Sequence, residues 1–385
     1  MDLPKTICML PWTSIEVTPS GTYRPCCIYG ESIPNLSVQQ GHTAIDAQRS
    51  DYMKNLRQQF LNGEKPEGCK SCWQQELVFG RVSKRKNTFV KLKNVDLDYT
   101  EESVKPIFLD LKLGNICNLK CRICGSWSSS KWAQEELDLS NGNNSQAREN
   151  LVNGQWPRKV SNWWQSLEEA LPHIEYLEFA GGEPLLTEEQ FDLLQVLVDR
   201  GYASKIDIHY NTNGTIWPKR GLELWPHFKK VEIAFSIDDV GARFEYQRFG
   251  EDWDKTQDII MQAIETNFSL QICTTFNIQN AYYWGALSQW IESTGIKDVY
   301  CNILQGPPQF SLRNLPVHVK PIFEEKMLSH SHPYWHTKIK DIIGFMNLPG
   351  TDMSKEFIEK INLHDKYRKE KFEDAHPEVW RLLNG

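Results

Sequence analysis

The sequence predicts an α/β fold, a parallel sheet with its helices on the outside. Three observations support this. From about residue 105, short apolar and β-branched runs alternate with amphipathic stretches; each run is bounded by Gly, Asn, Asp or Pro; and the unit recurs six times. Strands are expected at 107–113, 174–179, 205–210, 231–237, 270–277 and 298–304, with helices such as 188–200, 253–266 and 283–293 between them. Repeated strand–helix units give parallel strands, because each right-handed crossover returns the chain to the same end of the sheet. Six units suit either an open (β/α) barrel or a doubly wound sheet. In both, chemistry gathers at the carboxyl ends of the strands.

The 385 residues are enough for a large core and an accessory module. Residues 1–100 are rich in Pro, Gly, Trp and Cys without strand–helix alternation, and read as a separate metal-stapled module. Residues 101–305 hold the alternating units. Residues 306–385 form a C-terminal extension with a helical pattern around 354–371. The polar stretch within 126–160, "DLSNGNNSQARENLVNGQ", reads as a mobile insertion in the first strand–helix unit. The run "RVSKRKNTFVKLK", with Arg81, Lys84, Arg85, Lys86, Lys91 and Lys93, reads as a solvated linker face; contact with an acidic peptide or phosphate is its alternative.

A formal charge of −7 argues against a general nucleic-acid binder, because neutralising phosphates takes a basic surface. No apolar run is long enough to span a membrane, and "MDLPKTICMLPW" lacks the pattern of a secretory signal. A cytoplasmic, reducing location is expected, where clustered cysteines are metal ligands more often than disulfides. Eight of the ten cysteines lie within residues 1–124.

Cys117, Cys121 and Cys124 stand at C-x3-C-x2-C spacing just after the first predicted strand, in "CNLKCRIC". Three thiolates are one short of the usual four around zinc or an iron–sulfur cluster. A structural zinc site would need a fourth ligand, and the loop has no His. An iron–sulfur cluster with one open iron is the other reading. At later strand ends come "EFAGGEPLL" with Gly181, Gly182 and Glu183, "YNTNGT" with Asn213, and "AFSIDD" with Ser236 and Asp238, followed by Arg248. Singly, each is an ordinary turn or cap residue. Together, in this order, the motifs resemble those of the radical S-adenosylmethionine (radical SAM) superfamily, in particular anaerobic sulfatase-maturating enzymes and twitch or SPASM proteins.

The resemblance implies a partial (β/α)6 TIM-like barrel. It implies that Cys117, Cys121 and Cys124 hold a 4Fe–4S cluster whose fourth iron takes the amino and carboxylate groups of S-adenosylmethionine. One electron then cleaves the sulfonium and yields a 5′-deoxyadenosyl radical that removes a substrate hydrogen. It assigns Gly181, Gly182, Glu183, Asn213, Ser236, Asp238 and Arg248 to cosubstrate binding; an Arg fork suits a carboxylate. Ile123 stands where many members carry an aromatic, and is expected to pack on the adenine.

Farther upstream, Cys8-x12-Gly21-x4-Cys26 and the C-x2-C of Cys69 and Cys72 read as a zinc ribbon by spacing alone. They also resemble the auxiliary-cluster half of twitch and SPASM domains, although those follow the barrel and this pattern precedes it. That likeness implies an auxiliary 4Fe–4S cluster on Cys8, Cys26, Cys69 and Cys72, with Cys27 as a spare or alternative ligand. Cys273, Cys301, His209, Tyr210, Trp163 and Trp164 are expected to be packing residues.

The expectation is a radical SAM enzyme with a flavodoxin- or ferredoxin-like electron donor. Its substrate would be a peptide or protein side chain, or a sugar-like small molecule. Nucleoside or nucleic-acid modification, and a zinc-stabilised binding protein with a degenerate barrel, are the rivals.

Overall fold

The structure, a computed structural model, describes residues 3–77, 83–329 and 333–384; Arg81 of the basic run lies outside them. Its strands are β1 (Ser14–Val17), β2 (Tyr23–Arg24), β3 (Phe108–Lys112), β4 (Lys120–Cys121), β5 (Tyr176–Ala180), β6 (Asp207–Thr212), β7 (Lys230–Ser236), β8 (Arg248–Phe249), β9 (Ser269–Phe276) and β10 (Asp298–Ile303). One sheet runs β10-β9-β7-β6-β5-β3-β1-β2, and β4 pairs with β8 apart from it. All six expected strands are present. From β1 to β10 the strands lie side by side in chain order and pair in parallel, and only the β1–β2 pair is antiparallel. A doubly wound sheet reverses direction once, and this one does not. The fold is therefore a partial barrel, with β10 and β2 as its free edges among the described residues.

One face of the sheet is apolar. Leu109, Leu111, Leu177, Phe179, Ile208, Tyr210, Ile233, Phe235, Ile272 and Phe276 are each 0–1% exposed. They share a core with Phe191, Leu194, Ile260 and Leu287 of the crossover helices. Tyr210 stacks on Phe179, as its packing role requires.

The first correction concerns residues 1–100. They are not devoid of strand–helix alternation. β1 pairs in parallel with β3, and the helices Ala44–Arg49 and Asp51–Leu61 lie between the two in sequence, so the N-terminal segment supplies a strand of the barrel sheet. Four residues, "SIEV", are too short a run to declare themselves.

The sheet's other face is charged. In successive registers Glu16 lies opposite Asp110, Asp110 opposite Glu178, Glu178 opposite His209, and His209 opposite Glu232. The basic run supplies the countercharge, which is the second correction. Its helix, Lys84–Lys91, is solvated on one side only, with Lys86 and Lys91 exposed: Lys84 Nζ sits 3.1 Å from Glu178 and over the Phe108 ring, and Lys91 Nζ donates to the Tyr176 hydroxyl at 2.9 Å. Arg85 is buried and paired with Glu76 at 2.6 Å. Lys112 and Arg24 both reach Glu16, at 2.5 and 2.6 Å, and His209 Nδ1 is 2.7 Å from Glu232. Burial alone would raise the Glu178 carboxyl, but Lys84, His209 and Lys91 outweigh it and hold the group at about 2.

The stretch 126–160 is the third correction. It folds into the helices Ser130–Leu139, Ser145–Asn153 and Trp156–Lys159. Ser129 and Asn144 cap the first two with side-chain oxygens, and the fully buried Trp132 and Trp156 anchor them. A polar composition hid two tryptophans spaced widely enough to carry the packing. The expected C-terminal helix is present as Ser354–Arg368. No described helix is long and apolar enough to cross a membrane.

A chain beginning at residue 101 should fail to give a stable monomer. It leaves the β3 edge unpaired and Glu178 without Lys84. Size-exclusion chromatography and chemical denaturation of that truncated chain check this; a monomer with a cooperative transition of unchanged midpoint would contradict it.

Candidate active site

The cysteine loop leaves the carboxyl end of β3, where Gly114 adopts a positive φ of 81°. Ser129 Oγ donates to Leu119 O at 2.7 Å, and Trp132 Nε1 donates to Cys121 O at 2.7 Å, so the following helix fastens the loop. The amide of Cys124 donates to Cys121 O at 2.9 Å, a turn that brings the second and third thiols onto one side. Burial, then the neighbouring Cys121 thiol, pushes Cys124 up to about 12 and raises Cys117 as well. Burial also raises Cys121, but Arg248 opposes it. Its guanidinium Nη1 lies 3.8 Å from Cys121 Sγ, held there because β8 places Arg248 directly opposite Cys121 on β4.

The glycine motif at the end of β5 packs on the start of this loop. Gly181 and Gly182 have φ of 75° and 57°. A Cβ on Gly182 would stand 2.4 Å from Ile116 O, and one on Gly181 would stand 2.8 Å from Lys112 Cβ. Only glycine gives both the left-handed backbone and the room. The Glu183 amide completes the join, donating to Ile116 O at 2.8 Å.

Glu183 is 1% exposed. Its Oε1 accepts from the Leu185 amide at 3.0 Å and Thr212 Oγ1 at 2.7 Å, and Oε2 accepts from the Asn213 amide at 2.6 Å. Burial outweighs these bonds and lifts the carboxyl to about 7. Asn213 Nδ2 donates to Asn118 Oδ1 at 2.9 Å, tying the end of β6 to the cysteine loop. Ser236 is half-buried at the last position of β7. Asp238 does not stand free: Arg248 grips its Oδ2 at 2.8 and 3.0 Å, and the Thr275 amide donates to Oδ1 at 2.8 Å. Arg248 stays cationic, since Asp238, Cys121 and Glu251 outweigh its burial. Ile123 is half-buried against the core.

The structure thus brings the three cysteines, the glycine pair, Glu183, Asn213, Ser236, Asp238 and Arg248 to one end of the sheet. It adds residues that sequence reasoning did not single out. Glu251 is half-buried near Arg248, and loss of solvent around its carboxyl lifts it to about 7. The C-terminal extension grips the loop from behind: Arg122 Nη2 pairs with Asp365 and Glu370 at 2.7 and 2.6 Å, and Arg368 donates to Lys120 O at 2.9 Å and to Glu135 at 3.0 Å. No local motif announces a contact across more than 200 residues.

The N-terminal cysteines gather separately. Cys8 senses Cys26, Cys69 and Cys72, and Cys69 senses Cys26 and Cys72, each thiol being raised chiefly by burial. Cys27 looks elsewhere, toward Lys84, Asp110 and Glu178 on the charged face. Cys273 is half-buried and shares its register with Ser236 on one side and Tyr300 on the other; Cys301 is offset by one residue and lies on the opposite face. His209 is an ion-pair member rather than inert packing. Among the described residues no three His, Cys, Asp or Glu side chains enclose a point tightly enough for a single metal ion. A cubane cluster is wider than one ion, and its ligands stand at its corners. The thiol donors, the Arg248 cation beside Cys121 and the bare glycine backbone fit such a group at Cys117, Cys121 and Cys124.

Residues 111–278 match the radical SAM superfamily. The chain carries a radical SAM domain. Its span takes in the three cysteines, the glycine motif and Arg248. A comparison with curated proteins finds no match. Among solved structures, native anSMEcpe with bound AdoMet and Cp18Cys peptide is 18% identical with a TM-score of 0.40, over 67% of this chain and 66% of that one. Streptococcus suis SuiB bound to precursor peptide SuiA is 12% identical with a TM-score of 0.35, over 86% of this chain and 65% of that one. The chain therefore covers just under two thirds of the length of each.

Two outcomes follow for the radical SAM domain. Gly182→Ala should destabilise the apo chain by at least about 1–3 kcal/mol, because it combines a strained φ with a backbone clash. Gly41→Ala, where φ is 80° and nothing lies within 4 Å, isolates the φ penalty alone and should cost less. Urea denaturation of both variants reads the difference, and equal losses would remove the close-approach argument.

The second outcome concerns pH. Glu183, Glu251 and Asp239 each rise to about 7 through burial. A carboxyl raised on folding contributes stability below its unfolded value, near 4.5, and loses it as pH climbs through 7. Thermal unfolding of the apo chain should therefore come at lower temperature at pH 8 than at pH 6. A rise instead would mean that these groups are ionised and paired.

Proposed function

We propose that this chain is a radical SAM enzyme that takes a hydrogen atom from a peptide side chain or a small-molecule substrate. The observation behind this reading is the three-thiol loop placed at the strand ends within the segment that matches the superfamily. Cys117, Cys121 and Cys124 would hold a 4Fe–4S cluster. When bound, that cluster and S-adenosylmethionine supply one-electron cleavage of the sulfonium and a 5′-deoxyadenosyl radical. The residues around them have distinct tasks. Gly181 and Gly182 present backbone at close range. Glu183, buried and fixed by three donors, faces the amino end of the cosubstrate. Arg248 offers positive charge to thiolate and carboxylate, with Asp238 fixing its angle. Ser236 and Asn213 stand at neighbouring strand ends for the ribose and methionine, and Ile123 supplies an apolar face to the adenine.

Cys8, Cys26, Cys69 and Cys72 are proposed to hold an auxiliary 4Fe–4S cluster within residues 1–100. Support comes from the mutual proximity of these four thiols, whereas Cys27 senses Cys26 only after Lys84, Asp110 and Glu178. A flavodoxin- or ferredoxin-like protein is the proposed electron donor. The nucleic-acid alternative loses part of its support, because Lys84 and Arg85 of the basic run are engaged inside the molecule.

Anaerobically reconstituted protein should contain about eight irons per chain. Replacing Cys117, Cys121 and Cys124 with Ala together should leave about half of them and abolish 5′-deoxyadenosine release. Metal analysis and product chromatography read both. Bound zinc in place of iron, or unchanged 5′-deoxyadenosine release by the triple variant, would refute the reading.

A further inference from the structure

The three thiols of the cysteine loop do not stand in equal surroundings. Arg248 Nη1 lies 3.8 Å from Cys121 Sγ, so one corner of the proposed cluster site has a cation in contact. The nearest charges around Cys117 include the Glu183 carboxylate instead.

The contact is built from both sides. The short β4–β8 ladder sets Arg248 opposite Cys121 and Phe249 opposite Lys120. On the cysteine side, Trp132 Nε1 donates to Cys121 O at 2.7 Å, and the Arg122 amide donates to Gln247 O at 2.7 Å. On the arginine side, Asp238 Oδ2 takes Nε at 3.0 Å and Nη2 at 2.8 Å, while Asp238 Oδ1 is tied to the Thr275 amide at 2.8 Å. A guanidinium is a rigid plane, and gripping its Nε–Nη2 edge aims the remaining arm. That arm, Nη1, is the one beside the sulfur. Asp238 faces the opposite edge, so at Cys121 the cation acts more strongly than the carboxylate, and more strongly than Glu251 beyond it.

Net charge, hydrogen bonds to the sulfurs and solvent exposure set the potential of an iron–sulfur cluster. Arg248 supplies both a positive charge and an N–H donor at one sulfur, in a buried setting where charges are weakly screened. Added negative charge is therefore favoured at the Cys121 corner.

We propose that Arg248 raises the reduction potential of the cluster held by Cys117, Cys121 and Cys124, acting through the Cys121 sulfur, with Asp238 as the residue that aims it. The proposal deepens the functional reading above and rests on it for the cluster itself. The step it governs moves one electron from the proposed flavodoxin- or ferredoxin-like donor, which is oxidised, to the cluster, which is reduced. No bond is made or broken, and the guanidinium keeps its proton throughout. The effect needs no S-adenosylmethionine, which separates it from a grip on the cosubstrate carboxylate.

The test is a redox titration of anaerobically reconstituted full-length protein, free of S-adenosylmethionine, with the reduced cluster read by electron paramagnetic resonance. The variant with Cys117, Cys121 and Cys124 all replaced by Ala gives the N-terminal contribution to be subtracted. Arg248→Gln should leave about tenfold less of this cluster reduced at a fixed potential, a drop of ~59 mV for a one-electron couple. Arg248→Lys keeps the charge and should come within about threefold of the wild type. Glu251→Gln, at about pH 8.5, removes a carboxylate near Cys121 while leaving Arg248 and Asp238 in place, and should raise the potential. Packing damage gives no reason for the Arg248→Gln and Glu251→Gln variants to shift in opposite directions. An unchanged potential in either of them, or equal losses in the Gln and Lys variants of Arg248, would overturn the proposal. If Arg248→Gln takes up no iron, Glu251→Gln decides alone, and an unchanged or lowered potential there overturns it. Metal content of the wild-type chain separates the two readings. A chain that binds zinc or no metal removes both, whereas a cluster whose potential ignores Arg248 removes only this one.

Discussion

A row of carboxylates across the inner face of the sheet is the constraint on which the architecture turns. Glu16, Asp110 and Glu178 sit in one register on neighbouring strands, and His209 separates Glu178 from Glu232 in the same row. Like charges at strand spacing repel, and each would lose several kcal/mol on leaving water unpaired. Asp110 shows the residue of that problem: it is 2% exposed, both oxygens lack a hydrogen bond, and burial lifts it to about 6. Part of the remedy, Lys112 and His209, comes from within residues 111–278, and part comes from outside them. Lys84 arrives on a helix of the N-terminal segment, and Arg24 arrives on β2. The barrel's charged face and the N-terminal segment are therefore not separable parts. The segment helps to neutralise the face and extends the sheet through β1.

The same logic fixes the cysteine loop from the opposite side. A loop of three thiols with raised proton affinity has little reason of its own to hold a shape. Arg122, lodged between Asp365 and Glu370, and Arg368, lodged against Glu135 and Lys120 O, clamp it to the C-terminal helix. Glu135 is the hub: burial would raise it, but His364, Lys120 and Arg368 hold it at about 2. Because the charges are desolvated and mutually bonded, removing any one leaves the others uncompensated, and the clamp acts as a unit.

Legibility in the sequence followed the range of the interaction. Strands β3, β5, β6, β7, β9 and β10 were visible because apolar periodicity is local. The cysteine, glycine and Asn–Thr motifs were visible because ligand chemistry needs short, fixed spacings. β1 was hidden, since "SIEV" places Glu16 and Ser14 on the charged face and so lacks an apolar signature. The basic helix was misread for a related reason. A lysine that neutralises a buried carboxylate and one that faces water have the same local sequence, and the partner of Lys84 lies 94 residues away. Asp238 and Arg248 were singled out separately, but their grip on each other needs the loop between them to turn back, which spacing alone does not state.

The adjacent pair Cys26 and Cys27 shows how the two halves meet. Spacing from Gly21 favoured Cys26 without excluding its neighbour. In the fold, the two thiols have different surroundings. Cys26 senses Cys72 ahead of Lys84 and Glu16 and is sensed by Cys8 and Cys69, whereas Cys27 senses Lys84 first, then Asp110 and Glu178, and Cys26 last. Two consecutive side chains cannot both reach one small centre without strain, so giving Cys26 to the thiol cluster frees Cys27 for the inner face. That face carries the acid row. The N-terminal segment therefore sets Cys27 and its β1–β2 hairpin against the same charged face of the sheet. Any change that loosens Lys84 or Arg24 from the carboxylate row would shift the Cys27 thiol and the hairpin together.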